Sequence, residues 1–129
     1  VTYLNRKSKK SNHNINFFHG DALLEGHYAK NQNYDIIISM GLTEFLNDPD
    51  TIKFYCLIKN KLKKTGKLVT SGMLPHKLSD YLLRNIGELH TYYRSRDQLE
   101  SLAREAGFKE VSTYQDIYKL QTMIIASNH

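Results

Sequence analysis

The chain has 129 residues, of which 40% are hydrophobic and 24% are charged, and its formal net charge is +5. This length predicts one globular domain with its own core. No apolar run is long enough to span a membrane, and the first residues lack the pattern of a signal peptide. The single cysteine, Cys56, excludes an internal disulfide and argues against a cysteine-based zinc site. We therefore expect a cytoplasmic protein.

Half of the 18 lysines and arginines fall in two groups, one within residues 6–10 and one between Lys59 and Lys67. The second group lies at the end of a predicted helix, where cations interact favourably with the helix dipole. Neither group is interleaved with aromatic residues that would stack on bases. Solvated helix ends are the simpler interpretation, and a nucleic-acid-binding module is a minor alternative.

The first third of the chain has weak secondary-structure signals. Residues 1–10 resemble the tail of a helix, and the polar cluster of residues 11–14 resembles a turn. Ile15–His19 is a short β-prone run, and Ala22–Lys30 predicts a short helix that Gly26 interrupts. Residues 31–33 predict another turn.

The strongest signal is the run from Tyr34 to Met40, which is apolar without alternation and therefore predicts a strand buried on both faces. Gly41 ends this strand. Asn47 and Pro49 have the pattern of a helix cap followed by proline in the first turn. Between strand and helix, Leu42–Leu46 forms a loop at the carboxyl end of the strand, where open α/β sheets bind their ligands.

The rest of the chain alternates between helix and strand patterns. Apolar residues at helical spacing predict a helix over 49–64, followed by a strand over 67–71 and a helix over 76–86. Ser95 and Gln98 predict a capping box for a helix over 96–106, which Gly107 ends. Two strands, over 110–115 and 120–127, are close enough in sequence to pair as an antiparallel hairpin.

The summed order is β-α-β-α-β-α-α-β-β. It predicts an α/β fold in which a mostly parallel sheet is flanked by helices on both faces. The C-terminal antiparallel hairpin strand is expected at the edge of that sheet. We treat residues 1–129 as one domain that is incomplete at its N-terminus.

Three segments carry a resemblance to a known family. They are Asn16–Ala22 (NFFHGDA), Tyr34–Asp48, and Leu62–Val69 together with Leu99–Phe108 and the closing hairpin. In order and spacing they resemble the third to seventh strands of a class I S-adenosylmethionine-dependent methyltransferase, which has a Rossmann-like fold. The resemblance implies S-adenosylmethionine as the cofactor and methyl transfer to an unidentified acceptor.

The resemblance also implies roles for particular residues. Asp21 would accept a hydrogen bond from the adenine amino group, and the Ala22 N–H would reach a ring nitrogen. The full set of implied cofactor-binding residues is Gly20, Asp21, Ala22, Met40, Gly41 and Leu42. Two simpler interpretations stay open: Asp21 as a turn former, and Gly41 as nothing more than the end of a strand.

No catalytic residue is assigned, because a general base is needed only if the acceptor arrives protonated. His76, His90 and Arg94 lie in the region that covers the substrate in this family, and Arg94 or Arg96 has the chemistry to hold an acidic substrate. Glu44 is expected to be solvated. The histidines lack metal-ligand spacing, so no metal site is predicted.

The sequence also departs from the family. The Gly-rich loop after the first strand and the acidic residue that ends the second strand have no counterpart here. We therefore expect the chain to be a piece of a longer enzyme. The alternative is a non-catalytic α/β interaction domain, which would form a homodimer or bind a fuller partner through an exposed sheet edge.

Overall fold

A computed structural model of the chain describes residues 15–28 and 33–128. Its contacts divide the chain into two compact units, Val1–Lys30 and Asn31–His129. The predictions for residues 1–14 and 31–32 lie outside the described residues. In the part of the chain that the structure describes, no helix is long and apolar enough to cross a membrane.

The second unit is built on a four-stranded sheet with the order β1-β2-β4-β3. Its strands are β1 (Tyr34–Ser39), β2 (Leu62–Met73), β3 (Glu110–Gln115) and β4 (Gln121–Ser127). β1 and β2 are parallel, whereas β4 pairs antiparallel with both β2 and β3. Three strands therefore point the same way and only β4 is reversed. This sheet with its helices confirms the predicted α/β fold class.

Three helices connect the strands: α1 (Asp48–Lys61), α2 (Lys77–Asn85) and α3 (Arg96–Glu105). The caps predicted from the sequence are confirmed. The Asn47 side chain accepts from the Asp50 N–H at 2.8 Å, and Ser95 and Gln98 form the reciprocal capping box. α1 ends at Lys61 because the chain turns there into β2, where Leu62 pairs with Tyr34.

Some predictions for the first unit were wrong. Residues 15–19 form no strand, and the sheet takes no strand from this segment. A β-prone run becomes a strand only when a neighbour satisfies its backbone N–H and C=O groups. The helix predicted over Ala22–Lys30 is reduced to a single 3-10 turn, Glu25–His27, within the described residues.

The place of the hairpin strand also differs from the prediction. β4 is not at the sheet edge but lies between β2 and β3. Its residues Thr122, Ile124 and Ala126 are fully buried. The edge position belongs to β3, whose side chains are mostly exposed. β4 is the more apolar strand of the hairpin, and it takes the interior position, where its backbone pairs with a neighbouring strand on each side.

Helices α1 and α3 contact each other and pack on the same face of the sheet. The core there is formed by residues such as Tyr55, Leu68, Leu99 and Ile124, all fully buried. On the opposite face Ile36 and Ile38 are 58% and 67% exposed. The described helices therefore cover one face of the sheet. The predictions of helices on both faces and of a strand buried on both faces over Tyr34–Met40 were wrong, because β1 is an edge strand of the described sheet with one uncovered face.

The close approach of α3 to β2 depends on Gly72. A Cβ at this position would lie 2.6 Å from Leu99 Cδ1 and 2.9 Å from Leu99 Cδ2. Leu99 is fully buried, so its side chain has little free space into which to move.

We predict that Gly72→Ala lowers the free energy of unfolding by about 1–3 kcal/mol, the usual cost of overpacking a core. Urea denaturation measures the change. Gly26→Ala is the control, because no atom lies within 4 Å of the position of its added Cβ. Equal unfolding midpoints for the two variants would contradict the proposed packing of α3 on β2.

Candidate functional site

The carboxyl ends of β1, β2 and β3 meet at one edge of the sheet, together with the start of β4. This edge is where open α/β sheets bind ligands. A cleft of about 250 Å³ lies there, lined by residues that include Met40, Ser71, Tyr114 and Met123. A second cleft of about 290 Å³, lined in part by His76, shares the residues Asp116 and Gln121 with the first.

The loop after β1 is shaped by a glycine and a short turn. Gly41 has a φ of +75°, a conformation that glycine adopts without steric cost. The 3-10 turn Thr43–Phe45 follows directly. Thr43 is fully buried, and its hydroxyl donates to the Ser71 carbonyl in β2 at 3.0 Å. The loop is therefore fastened to the carboxyl end of the neighbouring strand.

Glu44 points into the protein rather than into solvent. It is only 5% exposed, so the expectation of a solvated side chain was wrong. Ser71 Oγ donates to Glu44 Oε1 at 3.3 Å. Burial raises the pKa of the Glu44 carboxyl above its ordinary value, and the hydrogen bond from Ser71 only partly opposes this effect. No salt bridge to Glu44 is found among the described residues.

The buried guanidinium of Arg94 holds the same loop from the other side. Its Nη1 donates to the Thr43 carbonyl at 2.7 Å, and its Nη2 donates to the Leu46 carbonyl at 2.5 Å. Its Nε donates to Asp48 at 2.8 Å. The Arg94 side chain is 4% exposed. Arg94 therefore binds loop carbonyls and the first turn of α1 in this structure, instead of presenting its charge to an acidic substrate.

We predict that Arg94→Met lowers the free energy of unfolding by at least about 2 kcal/mol, because it leaves two loop carbonyls without their donors. Arg94→Lys should not restore stability, since an ammonium cannot reproduce the planar fork of donors. Arg84→Met is the matched control, as Arg84 pairs with Asp80 on the surface of α2. Chemical denaturation of the three variants measures the difference. A similar loss for Arg84→Met would contradict the role given to Arg94.

Glu44 gives a pH-dependent prediction. The pKa of its carboxyl is raised in the folded state, so Glu44 contributes stability that is fully present below the ordinary value of 4.5 and is lost as the pH rises through the raised pKa. Glu44→Gln removes the titrating proton. The variant should therefore become more stable relative to the original chain as the pH increases from about 4 to about 8.

Urea denaturation over that pH range measures this trend. Glu110→Gln is the control, because Glu110 also accepts a hydrogen bond from a serine, Ser127 at 3.4 Å, but lies exposed on β3. A stability difference for Glu44→Gln that stays constant with pH would contradict the burial argument.

Three of the predicted cofactor-binding residues lie in the first unit. The Asp21 carboxylate is exposed and accepts from the Leu23 N–H at 2.9 Å, which is the geometry of a turn former. The Asp21 N–H donates to His27 Nδ1 at 2.6 Å, and the Ala22 carbonyl accepts from the Tyr28 hydroxyl at 2.8 Å. Gly20 lies against the His27 ring. The cofactor roles of these residues stay predictions.

The other three, Met40, Gly41 and Leu42, follow β1 in the second unit. Met40 is 49% exposed and lines the 250 Å³ cleft. Gly41 lies beside Glu44, since a Cβ at residue 41 would be 3.7 Å from Glu44 Oε2. Leu42 is half-buried at the start of the 3-10 turn. The structure thus places these residues next to the buried Glu44–Ser71 pair.

The two histidines assigned to the substrate differ in their surroundings. His76 caps α2 by accepting from the Ser79 N–H at 3.4 Å, and it lines the second cleft. His90 is exposed in the connection between α2 and α3. Met40 and His76 therefore lie in neighbouring clefts, whereas Arg94 is buried beneath the loop. In the described part of the chain, no three His, Cys, Asp or Glu side chains are grouped as they would be around a metal ion.

Sequence reasoning missed the Glu44–Ser71 pair. The pattern marks Leu42–Leu46 as a loop, but it does not show which polar side chain turns inward. The two residues are 27 positions apart, and only the pairing of β1 with β2 brings them together. The available signal was a carboxylate within an otherwise apolar loop at the carboxyl end of a strand.

Several solved structures share this fold. The pyocyanin biosynthetic protein PhzM matches with a TM-score of 0.76 over 100% of this chain and 39% of its own, at 17% identity. Human N-acetylserotonin methyltransferase, solved in complex with SAM, matches with a TM-score of 0.68 over 88% of this chain and 33% of its own, at 18% identity. A possible exported protein from Bordetella parapertussis matches with a TM-score of 0.71 over 83% of this chain and 42% of its own, at 22% identity.

At these identities the likeness shows the fold alone. The chain spans well under half the length of each of these structures. No protein-family model and no curated protein sequence matches the chain.

Proposed function

We propose that the chain is part of an S-adenosylmethionine-dependent methyltransferase. The supporting observation is that this fold, with its strand order β1-β2-β4-β3 and reversed β4, matches structures such as human N-acetylserotonin methyltransferase, which was solved with SAM. The order of the Asn16–Ala22, Tyr34–Asp48 and Leu62–Val69 segments supports the same proposal. Because the chain spans a minor part of the solved structures, methyl transfer is proposed for a longer protein, with a cytoplasmic location.

Two groups of residues are proposed for the adenosine end of this cofactor, and each is described within its own unit. Asp21 is exposed, and a carboxylate has room for further donors beyond the one N–H that it accepts. Met40 presents an exposed apolar side chain after β1, suited to contact with an apolar ring face. Asp21 would hold the adenine amino group, while Met40, Gly41 and Leu42 would border the cofactor. When bound, the cofactor supplies an electrophilic methyl group on a sulfonium.

The chain's own contribution to such a reaction is positioning. A displacement at an activated carbon gains most from holding the reactants in line, and needs a base only when the acceptor carries a proton. The loop after β1 is suited to this task because Thr43, Glu44 and Arg94 fix it to β2 and α1. The acceptor is assigned to the clefts at the carboxyl edge, with His76 beside one of them.

We predict that S-adenosylhomocysteine raises the thermal unfolding temperature of the chain. A ligand at a hundredfold excess over its dissociation constant adds about 2.7 kcal/mol to stability, which corresponds to a shift of several degrees for a domain of this size. Asp21→Ala should abolish the shift. Asp35→Ala is the control, because Asp35 is an exposed aspartate paired with Lys63 at the opposite end of β1.

A shift that survives in Asp21→Ala would contradict the assignment of the adenine contact. If the chain shows no shift, the same measurement on a version extended upstream decides the matter, because the extension would supply the Gly-rich loop. No shift in either form would contradict methyl transfer itself.

A non-catalytic interaction domain is the alternative. It is favoured by the exposed apolar residues Ile36 and Ile38 on β1, which is an edge strand of the described sheet. Sedimentation analysis separates the two proposals. A stable dimer that binds no cofactor would favour the interaction domain.

A further inference from the structure

The 250 Å³ cleft at the carboxyl edge of the sheet has an ordered floor. Strand register places Ser71 opposite Met123, and Met123 opposite Tyr114. Met40 continues the same row, because Ser39 is opposite Thr70. Met40, Met123 and Tyr114 are each about half exposed and line the cleft. The floor is therefore a row of apolar and aromatic side chains into which Ser71 brings a buried hydroxyl, and Gln115, Asp116 and Gln121 complete the lining of the cleft.

This hydroxyl is not an isolated polar group. Ser71 and Glu44 are each 95% buried, and Ser71 Oγ donates to Glu44 Oε1 at 3.3 Å. The Thr43 hydroxyl holds the Ser71 carbonyl at 3.0 Å, so both the backbone and the side chain of Ser71 are fixed to the loop after β1. With its proton directed to Glu44, the Ser71 oxygen has lone pairs left to accept a hydrogen bond from a ligand.

Among the residues that the structure describes, no cation is paired with the Glu44 carboxylate. Arg94, on the segment packed against the loop, gives its donors to Asp48 and to the Thr43 and Leu46 carbonyls. The Tyr92 N–H binds the backbone carbonyl of Glu44 and not its side chain. From α1, the buried Tyr55 hydroxyl is the titratable group that faces it, and burial raises the pKa of this phenol. A ligand in the cleft therefore meets the pair at the Ser71 oxygen, an acceptor that suits an O–H or N–H group.

We propose that the Ser71–Glu44 pair receives the proton of a flat, apolar methyl acceptor that binds in this cleft with one O–H or N–H group directed at Ser71. The proposal rests on the proposed function. In the step, the acceptor's proton moves to Ser71 Oγ while the proton of Ser71 moves to Glu44 Oε1. The electron pair of the broken O–H or N–H bond stays on the acceptor atom. Ser71 contacts the acceptor, and Glu44 acts through Ser71 as a positioning residue.

The test uses 4-nitrophenol as the probe, because its ionised form absorbs visible light and its neutral form does not. Titration of the probe into the chain at several pH values gives both its affinity and the protonation state of the bound molecule. In the original chain, the bound probe should stay neutral to a higher pH than the free probe, because in the absence of a methyl donor the pair only accepts its hydrogen bond and the proton is not yet transferred. Ser71→Ala should weaken binding about tenfold.

Glu44→Gln distinguishes a proton-accepting role from a merely structural one, because only the former changes the ionisation of the bound probe. A glutamine amide donates to Ser71 Oγ and leaves the serine proton free to bind a phenolate. The ionisation of the bound probe should therefore shift to lower pH in Glu44→Gln. Glu110→Gln, which alters an exposed glutamate that accepts from Ser127 at the start of β3, should behave as the original chain. Circular dichroism of each variant checks its folding.

The proposal is overturned if the probe does not bind, if Ser71→Ala leaves its affinity unchanged, or if Glu44→Gln leaves its ionisation unchanged. Binding of S-adenosylhomocysteine is measured on the same samples. If the cofactor binds but the ionisation of the bound probe is unchanged in Glu44→Gln, the role proposed for the Ser71–Glu44 pair is overturned and methyl transfer still stands. The expected ionisation shift, with no cofactor binding by either this chain or the version extended upstream, keeps the pair as a proton acceptor and overturns methyl transfer alone.

Discussion

The buried guanidinium of Arg94 is the interaction on which the carboxyl edge of the sheet depends. A loop between a strand and a helix leaves several carbonyls without partners, and burying them unpaired is costly. Arg94 satisfies the carbonyls of Thr43 and Leu46 and contacts Asp48 at the start of α1. Because its own charge is neutralised only in part, by a carboxylate that is 64% exposed, the planar arrangement of its donors matters as much as its charge.

The clamped loop in turn allows a carboxyl group to be buried. Moving a carboxylate out of water is unfavourable unless hydrogen bonds or a cation compensate, and Glu44 has one hydrogen bond from Ser71. At neutral pH the buried Glu44 carboxyl therefore lowers the free energy of unfolding. Acids whose pKa values are shifted by burial are common at functional sites, and Glu44 is hydrogen-bonded to a serine that lines a cleft, so we give it a role beyond packing.

Parts of the fold followed directly from local sequence patterns. The Asn47 cap, the Ser95–Gln98 capping box and the hairpin of β3 and β4 depend on residues that are close together in the chain. Their physical causes act within a few residues, so the pattern contains the information. The wrong predictions concern long-range partners. Residues 15–19 lack a pairing strand in the sheet, and β4 takes an interior place beside β2, about 50 residues earlier.

The candidate site likewise combines features that depend on neighbouring residues in the sequence with features that depend on long-range partners. The sequence alone determined that an apolar strand ends just before Gly41 and that a loop follows it at the ligand-binding edge, because hydrophobic patterning and glycine conformation are local properties. It determined neither that Glu44 turns inward nor that Arg94 turns toward the loop. Those two outcomes were decided by the tertiary structure, because the partners of both side chains are brought near only when β1 pairs with β2 and the segment before α3 packs on the loop.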